Sequence, residues 1–328
     1  MIGIDSDTSR NLPFLLSSLT QFPNISALEI DVIDDASLLV RIFRGIMLCP
    51  MASTLKRIFL RGCVKPLSSL AECIPQQVFF KGLTELELHL VDNQRLDAHG
   101  HIVINTSPCS SNRVAPFLLL LAPTLCTLRI STSVDLAPLF DALNQSRPSS
   151  PSNSSIPFPN LKFLGLDFFP FRVSMQSSPG SLRLFLLAHN KRLKRLGLVV
   201  NFRSGHADES LDAWFAEFTN SNYPFPSLQS LEIYQRPCFP TLLTLLKRTG
   251  PTLLSLEIGH GQLEIEEIEE ALALLTAPTK EEESPKLKKL YMDVVFLTVP
   301  ILDLLSRKLP QLESLDLSVT RAVGSGQV

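Results

Sequence analysis

Six cysteines stand far apart in the 328-residue chain, at 49, 63, 73, 109, 126 and 238, with no Cys-x-x-Cys pair among them. That spacing argues against a disulfide framework or a zinc site and leaves buried, reduced thiols as the expectation. The first residues, Met1-Ile-Gly-Ile-Asp-Ser-Asp, lack the basic-then-apolar order of a signal peptide. The strongest short apolar run, Ala115 to Ala122, is far shorter than a membrane span. A formal net charge of −2 supplies no general attraction to nucleic acid or to an anionic membrane. Four Asn-x-Ser sequons, at Asn24, Asn105, Asn144 and Asn153, then read as chance in a serine-rich chain. A soluble protein of the cytoplasm or nucleus is expected.

Catalytic signatures are missing as well. There is no G-x-S-x-G, no G-x-G-x-x-G and no Walker-type glycine loop. Asp97-Ala-His99-Gly-His101 is the only cluster of metal-ligand character, and it supplies no evident fourth ligand. A metal-dependent enzyme built on that loop is the least favoured reading, and a solvated polar loop the preferred one. No cofactor and no enzymatic activity are expected.

What the chain has is a recurring phrase. Phe225-Pro226-Ser227-Leu228-Gln229-Ser230-Leu231-Glu232-Ile233 and Leu309-Pro310-Gln311-Leu312-Glu313-Ser314-Leu315-Asp316-Leu317 are near twins. With the first apolar residue after the proline as position n, apolar residues recur at n, n+3 and n+5. Ten matches occur, with n at Ile25, Leu55, Leu83, Leu125, Leu161, Leu193, Leu228, Leu253, Leu287 and Leu312. Proline fills n−2 in seven of the ten, where 24 prolines in 328 residues would by chance give fewer than one.

A strand alternates its side chains, so n+3 and n+5 face one way and n+2, n+4 and n+6 the other. Each strand is too short to stand alone and must stack on its neighbours in a parallel sheet. Proline at n−2 suits the approach to a strand, where no ladder bond is lost. Between strands the pattern turns helical: Ile265, Ile268, Leu272 and Leu275 form an apolar stripe opposite five glutamates. Helices are likewise expected from Pro138, Pro240 and Pro300 onward, each proline in a first turn. Lys247-Arg248 and Arg307-Lys308 suit helix C-termini, and Gly250 a C-terminal cap.

Leu55-Lys-Arg-Ile58-Phe-Leu60-Arg-Gly-Cys63 and Leu193-Lys-Arg-Leu196-Gly-Leu198-Val-Val-Asn201 match L-x-x-L-x-L-x-x-N/C, so the chain resembles leucine-rich-repeat proteins from about Leu12 to Leu317. The other eight repeats depart at n+8, where Ser133 and Thr320 are polar substitutes. Irregular repeat lengths and the Pro-x-Leu-x-x-Leu-x-Leu wording are most similar to the repeat regions of F-box proteins, particularly fungal ones. The resemblance implies an α/β solenoid, a horseshoe of about ten irregular strand–helix repeats with a parallel sheet on its concave side. It also implies substrate recognition for a cullin-type ubiquitin ligase, with ligase components among the partners. An F-box normally precedes such repeats, and here the first repeat begins by Ile25, with Leu12-Pro13-Phe14-Leu15-Leu16 resembling only its opening. A truncated chain, a gene model that starts late and a stand-alone adaptor are the three expectations. A stand-alone regulator, an enzyme inhibitor or GTPase-activating protein, would share the fold.

The expected organisation is one repeat domain over residues 1–321 with a flexible tail at 322–328. Two insertions are expected: a long loop over 91–112 and the Ser/Pro-rich stretch 144–157, read as a bulge in preference to a hinge. Ser107, Ser150, Ser178 and Ser284 precede prolines and are candidate phosphorylation sites. Seven basic residues between Phe168 and Ala207, including Arg172, Arg183, Lys191 and Arg203, form a cluster without acids, read as a solvated face in preference to a nucleic-acid site.

The register names an interaction surface on the concave face. Glu232, Tyr234, Glu257, Tyr291, Asp293 and Asp316 form an acidic and aromatic strip over the last four repeats. Gly165 and Gly197 are expected to leave a shallow floor flanked by Phe163, Arg129 and Arg195. Tyrosine and arginine are frequent anchors at protein interfaces. Facing the other way, Leu231, Leu312, Leu315 and Leu317 are expected to hold the stack.

Overall fold

The structure is a computed structural model. It describes residues 2–3, 14, 17–32, 36–73, 82–91, 94–96, 102–104, 110–146, 156–168, 179–200, 214, 217–218, 225–234, 239–249, 252–276 and 286–321. The chain divides into two compact units, Met1–His189 and Asn190–Val328. Each is an alternation of strands and helices built on a parallel sheet.

In the first unit, β1 (Ile2–Gly3), β2 (Ala27–Val32), β3 (Arg57–Cys63), β4 (Glu85–Val91), β7 (Thr127–Thr132) and β8 (Phe163–Phe168) pair in that order, all parallel. Equal template positions meet across the sheet: Leu28, Ile58, Leu86, Leu128 and Leu164 form one row, Ile30, Leu60, Leu88, Ile130 and Leu166 the next. Both rows are buried, as the two-residue alternation requires. The helices Ala36–Leu48, Val64–Cys73, Ala115–Leu121, Ala137–Gln145 and Gly180–His189 return the chain between or after these strands. Buried phenylalanines tie this layer together. Phe43 meets Phe117 edge-on at 6.3 Å between ring centroids, and Phe185 touches Phe140 and Phe158 at 5.2 and 5.8 Å. His189 lies in the same core, its ring tilted by 30° against that of Phe185 and its Nδ1 2.7 Å from the Phe185 carbonyl oxygen.

In the second unit, β9 (Arg195–Val200), β10 (Ser230–Tyr234), β11 (Ser255–Leu263), β12 (Lys289–Phe296) and β13 (Ser314–Arg321) are again parallel and in template register. Leu196, Leu231, Leu256, Leu290 and Leu315 align in one row. The helices Phe239–Thr249, Ile265–Leu275 and Val299–Lys308 fall where the apolar stripes predict them. Glu264 and Glu267 close a capping box on Ile265–Leu275, with Glu267 Oε2 accepting from the Glu264 N–H at 3.0 Å.

Two backbone devices explain why the phrase recurs. The carbonyl at n+1 accepts from two N–H groups of the next repeat. Ser26 O takes those of Lys56 and Arg57, Lys56 O those of Thr84 and Glu85, and Lys288 O those of Glu313 and Ser314. The same double step recurs at Thr84, Cys126, Lys194, Gln229 and Leu254, so each strand is keyed to the next before its ladder begins. The N–H at n also reaches back to the carbonyl at n−3 in four repeats: Ile25 to Phe22, Leu161 to Phe158, Leu228 to Phe225 and Leu312 to Leu309. Proline at n−2 therefore sits second in a turn, where its locked φ is favoured.

Three expectations change. The 91–112 insertion is not a bare loop. It contains an antiparallel pair, β5 (Gln94–Leu96) with β6 (Ile102–Ile104), because Ile102-Val103-Ile104 is a β-branched run. The 144–157 insertion begins later than expected, since the preceding helix continues to Gln145 and Asn144 Nδ2 donates to the Ser181 carbonyl at 2.8 Å. Finally, β13 does not hold the stack as its twin does: Leu315 is 41% exposed and Leu312 and Leu317 are half-buried, whereas Leu231 is 0% exposed. Leu231 has paired strands on both sides; Leu315 pairs with β12 alone among the described residues.

Residues 107, 147–155, 178, 250, 284 and 322–328 lie outside the described residues, so the Ser/Pro-rich bulge, the Gly250 cap and the tail go without structural account, as do all four Ser-Pro serines. Among the described residues, no helix is long and apolar enough to cross a membrane.

Candidate interaction surface

Burying n+3 and n+5 leaves n+2, n+4 and n+6 on the opposite, open face of each sheet. On the first unit that face is largely a lattice of internal pairs. Arg57 Nη2 donates to Glu87 Oε2 at 2.9 Å, with its Nε 3.9 Å from Glu85, and Arg61 lies 3.7 Å from Asp31. Ser131 Oγ donates to Asp167 Oδ2 at 2.8 Å. These strands bring acids and arginines into facing register, Arg61 between Asp31 and His89, so the charges meet each other. A shallow depression of about 440 Å³ lies among Ala27, Leu28, Glu29, Arg57, Phe59 and Glu87.

Two groups here are electrostatically strained. Burial, reinforced by Arg61, pushes the His89 imidazole below its ordinary 6.5, with Asp31, Asp167 and Glu87 pulling weakly the other way. Burial likewise raises the Asp167 carboxyl above its ordinary 3.8, partly offset by the Ser131 hydrogen bond and by Arg129.

Arg129 and Phe163, both expected on this face, come together: the guanidinium lies over the phenyl ring at 5.4 Å from its centroid. They also overturn part of the expected floor. Gly165 is buried beneath them, and a Cβ there would lie 3.1 Å from both Arg129 Nε and Phe163 Cζ. The glycine makes room for its own neighbours, leaving no hollow for a ligand.

The second unit is organised differently. Arg195 pairs with Glu232, whose carboxylate is buried at 4% exposure, so Glu232 offers little surface of its own. Tyr234 leans over buried Gly259 on the adjacent strand toward Tyr291, and the two rings stack at 6.1 Å with 29° between planes. The Tyr234 hydroxyl donates to Glu257 Oε2 at 3.0 Å and the Tyr291 hydroxyl to Asp293 Oδ1 at 2.9 Å. Tyr291 lies between Glu257 and Asp316 in the strand register. Burial first, then the Glu257 hydrogen bond and charge, push Tyr234 from 10.0 up to about 12; Tyr291 is raised by the same causes, with Asp293 as partner.

The β11–β12 ladder breaks beside this cluster. Ile258 pairs with Met292, but the next registered pair is Leu263 with Val294, so β11 carries extra residues opposite Asp293. The sequence register placed every member of the strip on one face. Gly259 was on that face too, but as a glycine it gave no sign of the ring it admits.

The other candidates separate. Asp97, His99 and His101 lie outside the described residues, as do Arg172 and Arg203. Among the described residues, no three His, Cys, Asp or Glu side chains gather as a metal ion would require. Comparison with protein-family models and with curated proteins gives no match.

Proposed function

We propose that this chain is a leucine-rich-repeat horseshoe that recognises a protein partner on its concave sheet face, as a substrate-recognition subunit or adaptor of the F-box ubiquitin-ligase kind. The observation that carries the reading is the common register: within each unit the repeats turn n+2, n+4 and n+6 to one side, so short strands build a face from residues the core does not need. The second unit's open face carries stacked tyrosines and carboxylates, side chains suited to recognition. Recognition of this kind needs neither a cofactor nor a catalytic residue.

Site-specific photo-crosslinking tests it. A photoreactive residue at Ser314 on the sheet face should cross-link the partner in cells, while one at Ser306 or Glu269 on exposed helix surface should not. Cross-links from the helices alone would overturn the concave-face reading. Capture of the cullin-ligase adaptor by the full-length protein supports the ligase role; partner capture without that adaptor favours a stand-alone regulator.

A further inference from the structure

We infer that two copies of this chain join edge to edge through β13, antiparallel about a two-fold axis at Leu317, with their last helices side by side. The inference does not use the concave-face reading. A two-fold perpendicular to the sheet leaves the n+2, n+4 and n+6 side open on both copies.

The last repeat of the second unit is left uncovered in both of its layers. In the sheet, β13 pairs with β12 alone among the described residues, and Leu315 stands 41% exposed on the core-facing side. Behind the sheet, the helix Val299–Lys308 packs on Ile265–Leu275. Its Val299 and Leu302, three residues apart and so on one side of the helix, stay exposed. Among the described residues of the second unit, the exposed large apolar side chains all belong to this repeat: Phe296, Leu297, Val299, Leu302 and Leu315.

An occupant of this end must offer both a strand edge and an apolar helix flank. A peptide strand would cover Leu315 and leave Val299 and Leu302 bare. A second copy supplies both, because the two-fold keeps the two helix layers on the same side of the joined sheet. β13 also carries little that guards an exposed edge. It is eight residues long, keeps unbroken register with β12 from Ser314 to Val319, and contains neither proline nor lysine.

Charge selects the register. With Leu317 on the axis, Leu315 meets Val319 of the other copy, Asp316 meets Ser318, and position 321, an arginine, comes opposite Glu313. Glu313 is exposed and meets Lys288 of its own chain at 2.6 Å, so the pairing sets this carboxylate between two cationic positions. Sliding by two residues one way sets Asp316 against its own counterpart, like charge on like. Sliding by two the other way sets Leu315 opposite the arginine. A slide by one residue turns the leucines to the wrong face.

Sedimentation equilibrium of the full 328-residue chain tests this, from about 1 to about 100 micromolar, the range in which a small interface dissociates. The protein should pass from monomer to dimer and stop there, since an isologous contact closes on itself. Val299→Glu with Leu302→Glu, at positions already exposed, should weaken the dimer at least about tenfold by leaving charges unpaired beside the axis. Leu315→Lys should do the same from the sheet layer, with urea unfolding of dilute protein showing that the separated chain still folds. Oxidation of Asp316→Cys mixed with Ser318→Cys should cross-link the chains more fully than either variant alone, because the register sets these two positions opposite each other. Copies carrying two different tags tell a self cross-link from Ser314 apart from one to another protein. A monomer at every concentration, a dimer indifferent to the helix and edge charges, or equal cross-linking by each cysteine variant alone overturns the inference, and each leaves the concave-face reading untouched.

Discussion

The ring of Tyr234 occupies the space that a side chain at position 259 would fill. A Cβ on Gly259 would clash with the ring and lie 2.6 Å from Tyr234 Cε1, so glycine on β11 is what lets a β10 tyrosine reach its β12 counterpart. The pair spans three strands through this one missing side chain.

Gly259→Ala should therefore push Tyr234 aside and part the two rings. Because Tyr234 is only half-buried it can swing outward, and the stability loss should be about 1 kcal/mol, the low end for overpacking. Chemical denaturation measures the loss, and partner binding should fall with it.

The raised ionisation of Tyr234 has a definite sign. The fold favours the neutral phenol, so this contribution to stability is complete below pH 10 and is lost as pH rises from 10.0 through about 12. Ultraviolet titration of tyrosinate should show a late-ionising tyrosine that disappears in Tyr234→Phe and ionises earlier in Glu257→Gln.

Twin leucines should behave unequally. Leu231→Ala, at a fully buried position, should cost about 2–5 kcal/mol, whereas Leu315→Ala at the half-open end should cost about 1 kcal/mol. Urea unfolding of the two variants checks this; equal losses would mean that β13 is covered in solution.

Arg195 and Glu232 should prove coupled. Glu232 is buried while Arg195 stays half-exposed, so Arg195→Ala should cost about 2 kcal/mol, less than for a wholly buried pair. Adding Glu232→Gln should recover much of that loss, which a double-mutant cycle reads directly.

Acid should weaken the first unit through His89. Its folded value lies below 6.5, so the unfolded chain binds more protons there and stability falls as pH drops through about 6.5. Asp167, raised above 3.8, acts oppositely at lower pH, where the folded chain takes up the proton first. Denaturation between pH 7.5 and 5.5 should show the loss, and His89→Gln should reduce it.

Much of this was legible because periodicity reports directly on burial. Leu55, Leu83, Leu125, Leu161, Leu193 and Leu228 are all at 0% exposure, each at the template position where the strand's approach turns inward. Alternation likewise puts Tyr234, Glu257, Tyr291 and Asp293 on one face. The pattern could not show which of these side chains use one another. Glu232 and Glu257 hold the same template position on adjacent strands, yet one is buried against Arg195 and the other meets a tyrosine hydroxyl.

By itself, then, the sequence determined the repeat: where strands begin, which residues face the core, and that proline belongs in the approach to most of the strands. These are local matters, decided by backbone geometry and a two-residue period. Only the tertiary structure decided that Gly165 is roofed by Arg129 and Phe163, that Gly259 lies beneath Tyr234, and that Leu315 is left half-open where Leu231 is sealed. Each depends on what the neighbouring repeat places alongside, and a repeat's own residues carry no record of its neighbour.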